Sequence, residues 1–263
     1  LYAAARGTSR PGAESVSLRP VQLTTSSGLD VFPAFSPDGR SLAYASDRTG
    51  AFEIYRRPLA AGGAEIQLTS DGHQNLSPCF SPDGETIAYH SRELGGVWLV
   101  PALGGAPRQL STFGSRPSFS PDGSTIVMES GPVIDLAANS FGALPPSVLW
   151  LVPVRGGSPR PLTQVGQPTG GHGAASWSPD GRRIVFASYS RTVTEIWMVR
   201  ADGQEPQRLS QGNVHCYDPV FAHDGASVLF PCWSETWIVG LFRRGISPST
   251  GKPLGTVQEV YGF

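Results

Sequence analysis

The chain has 263 residues, a formal net charge of −1 and only 16% charged residues. Its 20 lysines and arginines are scattered along the chain, which argues against the basic patch of a protein that binds nucleic acid or an anionic membrane. No apolar run approaches the roughly 18 residues that a membrane span needs, so we expect no membrane insertion by this chain. Glycine and proline make up about a fifth of the residues, which is typical of many short strands joined by tight turns.

The N-terminal stretch differs in composition from the rest. Residues 1–18 are rich in Ala, Gly, Ser and Arg, and they predict a flexible linker that follows an upstream element. We expect that element to be a membrane span or an effector domain. Residues 19–263 are predicted to form a single domain.

A five-residue stretch, aromatic-Ser-Pro-Asp-Gly, is repeated along that domain. It occurs four times, and a degraded fifth copy reads Phe-Ala-His-Asp-Gly, with its Asp residues 39 to 58 positions apart. Proline fixes φ for the second position of a turn, Asp accepts hydrogen bonds from nearby N–H groups, and Gly adopts the positive φ that follows. We therefore interpret the repeated acids as turn residues and not as five binding sites. The predicted structural turn residues are Asp38, Gly39, Asp83, Gly84, Asp122, Gly123, Asp180, Gly181, Asp224 and Gly225.

Each turn lies within a unit of four predicted strands, A to D. In the first unit, strand A precedes the turn, strand B follows it at residues 41–46, and a Gly-Gly turn joins C to D. Four antiparallel strands at this period predict an all-β fold, a β-propeller, in which the aromatic residue before each turn packs between blades. The predicted blades span approximately residues 30–70, 75–112, 115–164, 173–211 and 216–261.

Residues 19–24 match the pattern of a D strand, although no A, B or C strand precedes them. Propellers often close by pairing strands from the two ends, because an open ring leaves exposed edges. We favour a six-bladed ring, or a larger one, in which this chain holds five complete blades and the closing strand. The alternative is a closed five-bladed ring with residues 19–24 as an extra edge strand.

The third blade carries an unusually long connection between strands B and C. Residues 129–146 make this loop about a dozen residues longer than its counterparts, and long loops on rigid scaffolds often carry recognition. Its apolar residues either contact a partner or fold back over the blade. They are Val133, Ile134, Leu136, Phe141 and Leu144.

Two of the three cysteines fall in the fifth blade. If the hairpin turns at residues 222–225, Phe221 faces Ala226, and Cys232 lies one step out of register with Cys216. A bulge or slip would allow a disulfide between them, which would indicate an extracytoplasmic compartment. Two free thiols are the alternative.

No catalytic motif is present, since the chain contains no Gly-x-Ser-x-Gly elbow and no His-Glu-x-x-His. The loops from each D strand to the next A strand converge on one mouth of the predicted channel. They offer three histidines, which could hold a transition metal or a small polar ligand or peptide, or could be solvated residues that form no site. We expect no cofactor, with a divalent metal at this mouth as the alternative. The mouth residues are Asp30, His73, Asn75, His172, His215 and Asp218.

The repeat resembles the TolB-type β-propeller family. The pattern is Pro-x-Phe/Trp-Ser-Pro-Asp-Gly, then a strand ending in Ser near an Arg, then Glu-Ile-Tyr/Trp and finally Leu-Thr, and it covers residues 19–261. The resemblance implies a periplasmic propeller that binds other envelope proteins. Similar propellers also follow membrane spans in regulators and kinases, cap hydrolases or form lyases.

Three functional hypotheses follow from this resemblance. The first is a noncatalytic scaffold or sensor module that binds a protein or peptide in the periplasm or another extracytoplasmic compartment. The second is a propeller-type lyase or hydrolase that uses a His/Asp site at the channel mouth. The third is the sensor domain of a larger membrane-anchored regulator or kinase. The oligomeric state is open in all three.

Overall fold

A computed structural model shows five small antiparallel sheets that follow one another along the chain. It describes residues 22–60, 62–131, 147–190, 193–212, 214–233 and 239–262. Every regular element in those ranges is a strand, and none of the described residues forms a helix that could cross a membrane. The strands are β1 (Asp30–Phe35), β2 (Ser41–Ser46), β3 (Glu53–Pro58) and β4 (Ile66–Gln67) in blade 1; β5 (Asn75–Phe80), β6 (Thr86–Ser91), β7 (Val97–Pro101) and β8 (Arg108–Ser111) in blade 2; β9 (Ser115–Phe119), β10 (Thr125–Glu129), β11 (Leu149–Pro153) and β12 (Arg160–Pro161) in blade 3; β13 (Gly171–Trp177), β14 (Arg183–Tyr189), β15 (Thr194–Arg200) and β16 (Gln207–Arg208) in blade 4; and β17 (His215–Cys216), β18 (Val220–Phe221), β19 (Ser227–Trp233), β20 (Val239–Ile246) and β21 (Pro253–Gly262) in blade 5.

The sheet order confirms the predicted propeller architecture. In blades 1 to 4 the strands pair in chain order, and in blade 5 the A strand is divided into β17 and β18, which both pair with β19. The A strands of successive blades contact one another, which places them on the inside of the arc around the channel.

The repeated turns are built by side chain and backbone together. In the first turn the Gly39 N–H donates to the Ser36 carbonyl (2.8 Å), while the Asp38 carboxylate accepts from the Ser36 hydroxyl (2.5 Å) and the Arg40 N–H (3.0 Å). The same bonds recur in the next three turns. The serine hydroxyl, followed by the backbone N–H, lowers the pKa of Asp38 below its ordinary value.

Hydrophobic cores between adjacent blades hold the arc together. Each A-strand aromatic from blade 2 onwards packs into the cluster that its blade shares with the preceding one. Phe80 is 7% exposed and Phe119 is 8% exposed, whereas Phe35 of blade 1 is 60% exposed. Among the described residues, blade 1 therefore has no blade packed against the face that carries Phe35.

The turns show the same asymmetry. A Cβ added to Gly84 would lie 3.7 Å from Pro37 of the preceding turn, and the Gly residues of the next three turns face the preceding turn's Pro in the same way. Gly39 of the first turn meets no described atom within 4 Å. These contacts favour a ring with a further blade before blade 1, and the six-bladed ring stays a prediction.

The predicted closing strand is described only in part. Residues 19–21 lie outside the described residues, as does the predicted linker at residues 1–18. Residues 22–24 form no strand, but Leu23 packs against Leu42, Tyr44 and Tyr55, which are buried on the outer face of blade 1. This segment therefore covers part of the face that an additional blade would occupy.

In blade 5, Cys216 and Cys232 form a disulfide and pair directly across β17 and β19. The predicted register was wrong, because Phe221 pairs with Val228 and not with Ala226. The hairpin closes later than predicted, with the Ala222 N–H bonded to the Ser227 carbonyl. An extra residue between β17 and β18 then shifts the register back by one position, which aligns the two cysteines.

Candidate binding site in the central channel

One position of each A strand has a left-handed backbone conformation. The five residues, with φ between 39° and 53°, stand three positions before the A-strand aromatic in every blade, and four of them precede a proline. Non-glycine residues rarely adopt this conformation, which costs about 1–3 kcal/mol each and is often associated with functional sites. We call this set the bulge ring. Its members are Phe32, Ser77, Arg116, Ala174 and Asp218.

Arg116 lies where several blades meet. Its Nη2 donates to the Asp218 carboxylate of blade 5 at 3.0 Å, and its Nη1 lies 3.5 Å from the Tyr189 hydroxyl of blade 4. Its guanidinium carbon is 5.8 Å from the centre of the Phe32 ring in blade 1. The side chain of Arg116 therefore reaches across the channel from blade 3.

The charge of Arg116 is maintained by its neighbours. Burial alone would lower the pKa of this guanidinium, but the negative charge of Asp218 and the other acidic groups nearby raise the pKa above its ordinary value. The Arg116 side chain is 21% exposed and that of Asp218 is 60% exposed. In this ion pair, Arg116 is therefore the more buried partner and Asp218 is exposed to solvent.

A second carboxyl group, Glu129 of β10, is buried beside Arg116. It accepts hydrogen bonds from the Ser115 hydroxyl (3.1 Å) and the Ala174 N–H (3.3 Å). Burial raises the pKa of Glu129, although the charge of Arg116 opposes this effect. A Cβ at Gly173 would lie 1.9 Å from the Glu129 carboxyl, so any other residue there would displace this carboxyl group.

Aromatic rings extend from this polar centre along blades 4 and 5. The ring centres of Tyr189 and Tyr217 are 6.2 Å apart, and those of Tyr217 and Trp233 are 4.9 Å apart with an edge-to-face geometry. Tyrosine and tryptophan are enriched at protein interfaces because they combine apolar area with a polar group. Arg116 and these aromatic residues were not predicted as site residues.

The predicted mouth residues do not form one cluster. Asp30, Asn75 and His172 each precede a bulge residue by two positions. Asp30 accepts a hydrogen bond from the Ser26 hydroxyl (2.7 Å), and its pKa is lowered because hydrogen bonds outweigh its partial desolvation. Fully buried Asn75 donates to Glu53 (3.0 Å) and Asp71 (2.8 Å). Asp30 is thus held by the segment before its own strand, whereas Asn75 links blade 2 to blade 1.

His172 is fully buried, and both of its ring nitrogens have partners. Nε2 lies 2.8 Å from the Pro168 carbonyl, which can only accept, so Nε2 carries the proton. Nδ1 lies 2.8 Å from the Thr163 hydroxyl, which accepts from the Leu149 N–H and can donate to Nδ1. The side chain is therefore engaged in holding the D–A loop of blade 3 against strand β13.

His73 and His215 are the other two predicted histidines. Nδ1 of His73 is 3.6 Å from the Asp71 carboxylate, which is too long for a hydrogen bond, and His215 pairs with Trp233 at the edge of blade 5. No three His, Cys, Asp or Glu side chains within the described ranges are arranged to hold a metal ion. Of the six predicted residues, Asp218 is the one that contacts Arg116.

The predicted partner loop and one surface cavity are the other candidate sites. The predicted partner-loop residues, from Val133 to Leu144, lie within 132–146, outside the described residues. A cavity of about 560 Å³ opens between blades 3 and 4, at the end of the blades that carries the repeated turns. Trp177, Arg160 and two of these turns line it. Because its Asp122 and Asp180 carboxylates are committed to those turns, the channel is the better candidate site.

We expect His172 to stay neutral as the pH falls through about 6.5, the ordinary histidine value, because burial lowers its pKa. The unfolded chain would bind a proton that the folded chain excludes, so this residue should reduce stability as the pH drops below about 6.5. Heteronuclear NMR of the ring nitrogens, assigned with a His172→Gln variant, would check this. A doubly protonated His172 ring at pH 6 would contradict it.

The geometry and the comparisons agree on the class of protein. The fold is a β-propeller with four-stranded blades, and residues 14–133 match the family model described as the TolB beta propeller domain. The chain is therefore a β-propeller, and its residues 14–133 are similar to the TolB propeller domain.

Its relatives support this assignment at different levels. An uncharacterized protein of Agrobacterium fabrum is 29% identical over 116 residues, which span 44% of this chain and 37% of that protein. The solved structure of a putative TolB from Agrobacterium tumefaciens has a TM-score of 0.70 at 23% identity, covering 90% of this chain and 82% of the other. Oligogalacturonate lyase from Vibrio parahaemolyticus has a TM-score of 0.65 at 18% identity, covering 92% and 68%. The two structural likenesses concern the fold alone.

Proposed function

We propose that this propeller is a noncatalytic binding module that holds a protein or peptide segment at the mouth of its central channel. The observation that carries the proposal is the position of Arg116, whose guanidinium is reached by residues of blades 1, 4 and 5. Interface hot spots combine arginine with tyrosine and tryptophan, as Arg116 is combined here with Tyr189 and Tyr217.

We also propose an extracytoplasmic location. The Cys216–Cys232 disulfide is consistent with an oxidising compartment, since such bonds are rare in proteins of the cytosol. The likeness to TolB propellers supports the same location. A sensor domain of a larger membrane-anchored regulator would use the same binding surface.

The alternative is a lyase or hydrolase with a His/Asp site at the channel mouth. The fold is shared with oligogalacturonate lyase. The described geometry supports this alternative less well, because His172 uses both ring nitrogens within its own loop. A general acid or base needs a nitrogen within reach of the substrate.

The test is selection of a random peptide display library on the purified chain. We expect selected peptides to lose about tenfold or more in affinity for a Tyr217→Ala variant, the effect of removing an interface aromatic. Leu103→Ala, an exposed change at the turn end of blade 2, is the matched control and should have no effect. Failure to select any peptide, together with depolymerisation of oligogalacturonate, would overturn the proposal in favour of the lyase.

A further inference from the structure

We infer that the channel receives the C-terminal carboxylate of a protein or peptide, and that Arg116 binds that carboxylate. This inference rests on the proposed function and names the chemical group that the site recognises. It begins from the fact that the guanidinium of Arg116 already binds a carboxylate, that of Asp218, at 3.0 Å.

The guanidinium has donors and access for a second carboxylate. Arginine has five N–H donors in a planar fork that matches the two oxygens of a carboxylate. Within the described part of the chain, its side-chain hydrogen bonds are those to Asp218 and to the Tyr189 hydroxyl, the latter at the long distance of 3.5 Å. The side chain is still 21% exposed, so it is not fully sealed from solvent.

Asp218 occupies the position that the ligand would take. Its side chain is 60% exposed, so a displaced Asp218 carboxylate would return to water at little cost in desolvation. Asp218 therefore acts as an internal competitor for Arg116.

The shape of the channel favours a chain end over a loop. Because the Arg116 side chain reaches across the channel to Phe32, Tyr189 and Asp218, we expect an extended segment that enters from the mouth to stop at the guanidinium. A segment that stops there presents its terminal carboxylate. The rings of Tyr189, Tyr217 and Trp233 then lie beside the last side chains of the ligand.

Ser77 provides an independent indication of a missing polar ligand. It holds the bulge position in blade 2, next to blade 3, and only 8% of its surface is exposed. Its hydroxyl is buried without a hydrogen-bond partner among the described residues. A buried polar group without a partner costs stability, so Ser77 has an unused donor at the bulge position of the blade next to that of Arg116.

The experiment compares one peptide with two chemically different ends. A random library with free C-termini is selected on the wild-type chain, and each selected peptide is then synthesised as the free acid and as the C-terminal amide. We expect amidation to weaken binding about tenfold or more, the effect of losing a charge-assisted hydrogen bond. This arm needs no substitution, so it does not depend on how any variant folds.

Two substitutions have opposite expected effects. Arg116→Gln should remove most of the difference in affinity between the free acid and the amide, whereas Asp218→Asn should raise the affinity of the free acid several-fold by removing the competitor. Arg182→Gln, an exposed arginine at the turn end of blade 4, is the matched control. Equal binding of acid and amide would overturn the inference and leave peptide binding standing. Binding of oligogalacturonate but of no peptide would overturn both proposals.

Discussion

Replacing Phe119 with alanine is expected to lower the free energy of unfolding by about 3–5 kcal/mol, the usual cost of removing a buried phenylalanine. The same change at Phe35 should cost less than about 1 kcal/mol, since exposed side chains contribute little. The two residues hold the same position before the same turn, but Phe119 is 8% exposed in the core between blades 2 and 3 and Phe35 is 60% exposed. Urea denaturation of the two variants would measure the difference.

This comparison also bears on ring closure. Because sequence context and backbone conformation are matched at the two sites, the difference reports how much packing each blade face receives. A large cost at Phe35 would show that its face is covered in solution, by residues 19–24, by another chain or by closure onto blade 5. The expected small cost is that of a side chain against which no neighbouring blade is packed.

Loss of the Cys216–Cys232 disulfide is expected to destabilise the chain by about 3 kcal/mol, because the bond closes a loop of roughly 15 residues and restricts the unfolded chain. For a domain of this size, that corresponds to a fall of about 6–12 °C in the melting temperature. The measurement is thermal unfolding of the oxidised chain, of the chain after reduction under denaturing conditions and refolding, and of the Cys216→Ala/Cys232→Ala variant.

The reduced wild type keeps both side chains in the core shared by blades 4 and 5, so it isolates the covalent bond from the loss of sulfur volume. Cys79→Ala is the control for reductant effects, since Cys79 takes no part in a disulfide. Equal melting temperatures for oxidised and reduced protein would contradict the expectation.

The architecture could be predicted from sequence because its determinants are local. Pro37, Asp38 and Gly39 specify a turn by their own backbone preferences, and the repeat of that turn implies the blades. The cysteine register was not predicted, because it depends on where the hairpin closes and on the bulge at Asp218, neither of which follows from strand alternation alone.

The site was predictable only in part, for a related reason. Asp218 was identified because it is a polar residue in a D–A loop, but Arg116 lies at the same repeat position and was not selected. An alignment of the repeats on the residue before proline places Asp218, Arg116 and Phe32 at one equivalent position. The role of His172 depends on burial and on the Thr163 and Pro168 partners, which spacing along the chain does not reveal.

The bulge ring also has a consequence for how such propellers diversify. An aromatic, a hydroxyl, a guanidinium, a methyl and a carboxylate occupy one backbone conformation in the five blades of a single chain. The conformation is therefore set by the blade and tolerates very different side chains. Substitutions at these five positions can then change the ligand that the channel binds without changing the backbone of the propeller. Gene duplication followed by change at a few such positions would give a family of receptors with one architecture and many ligands.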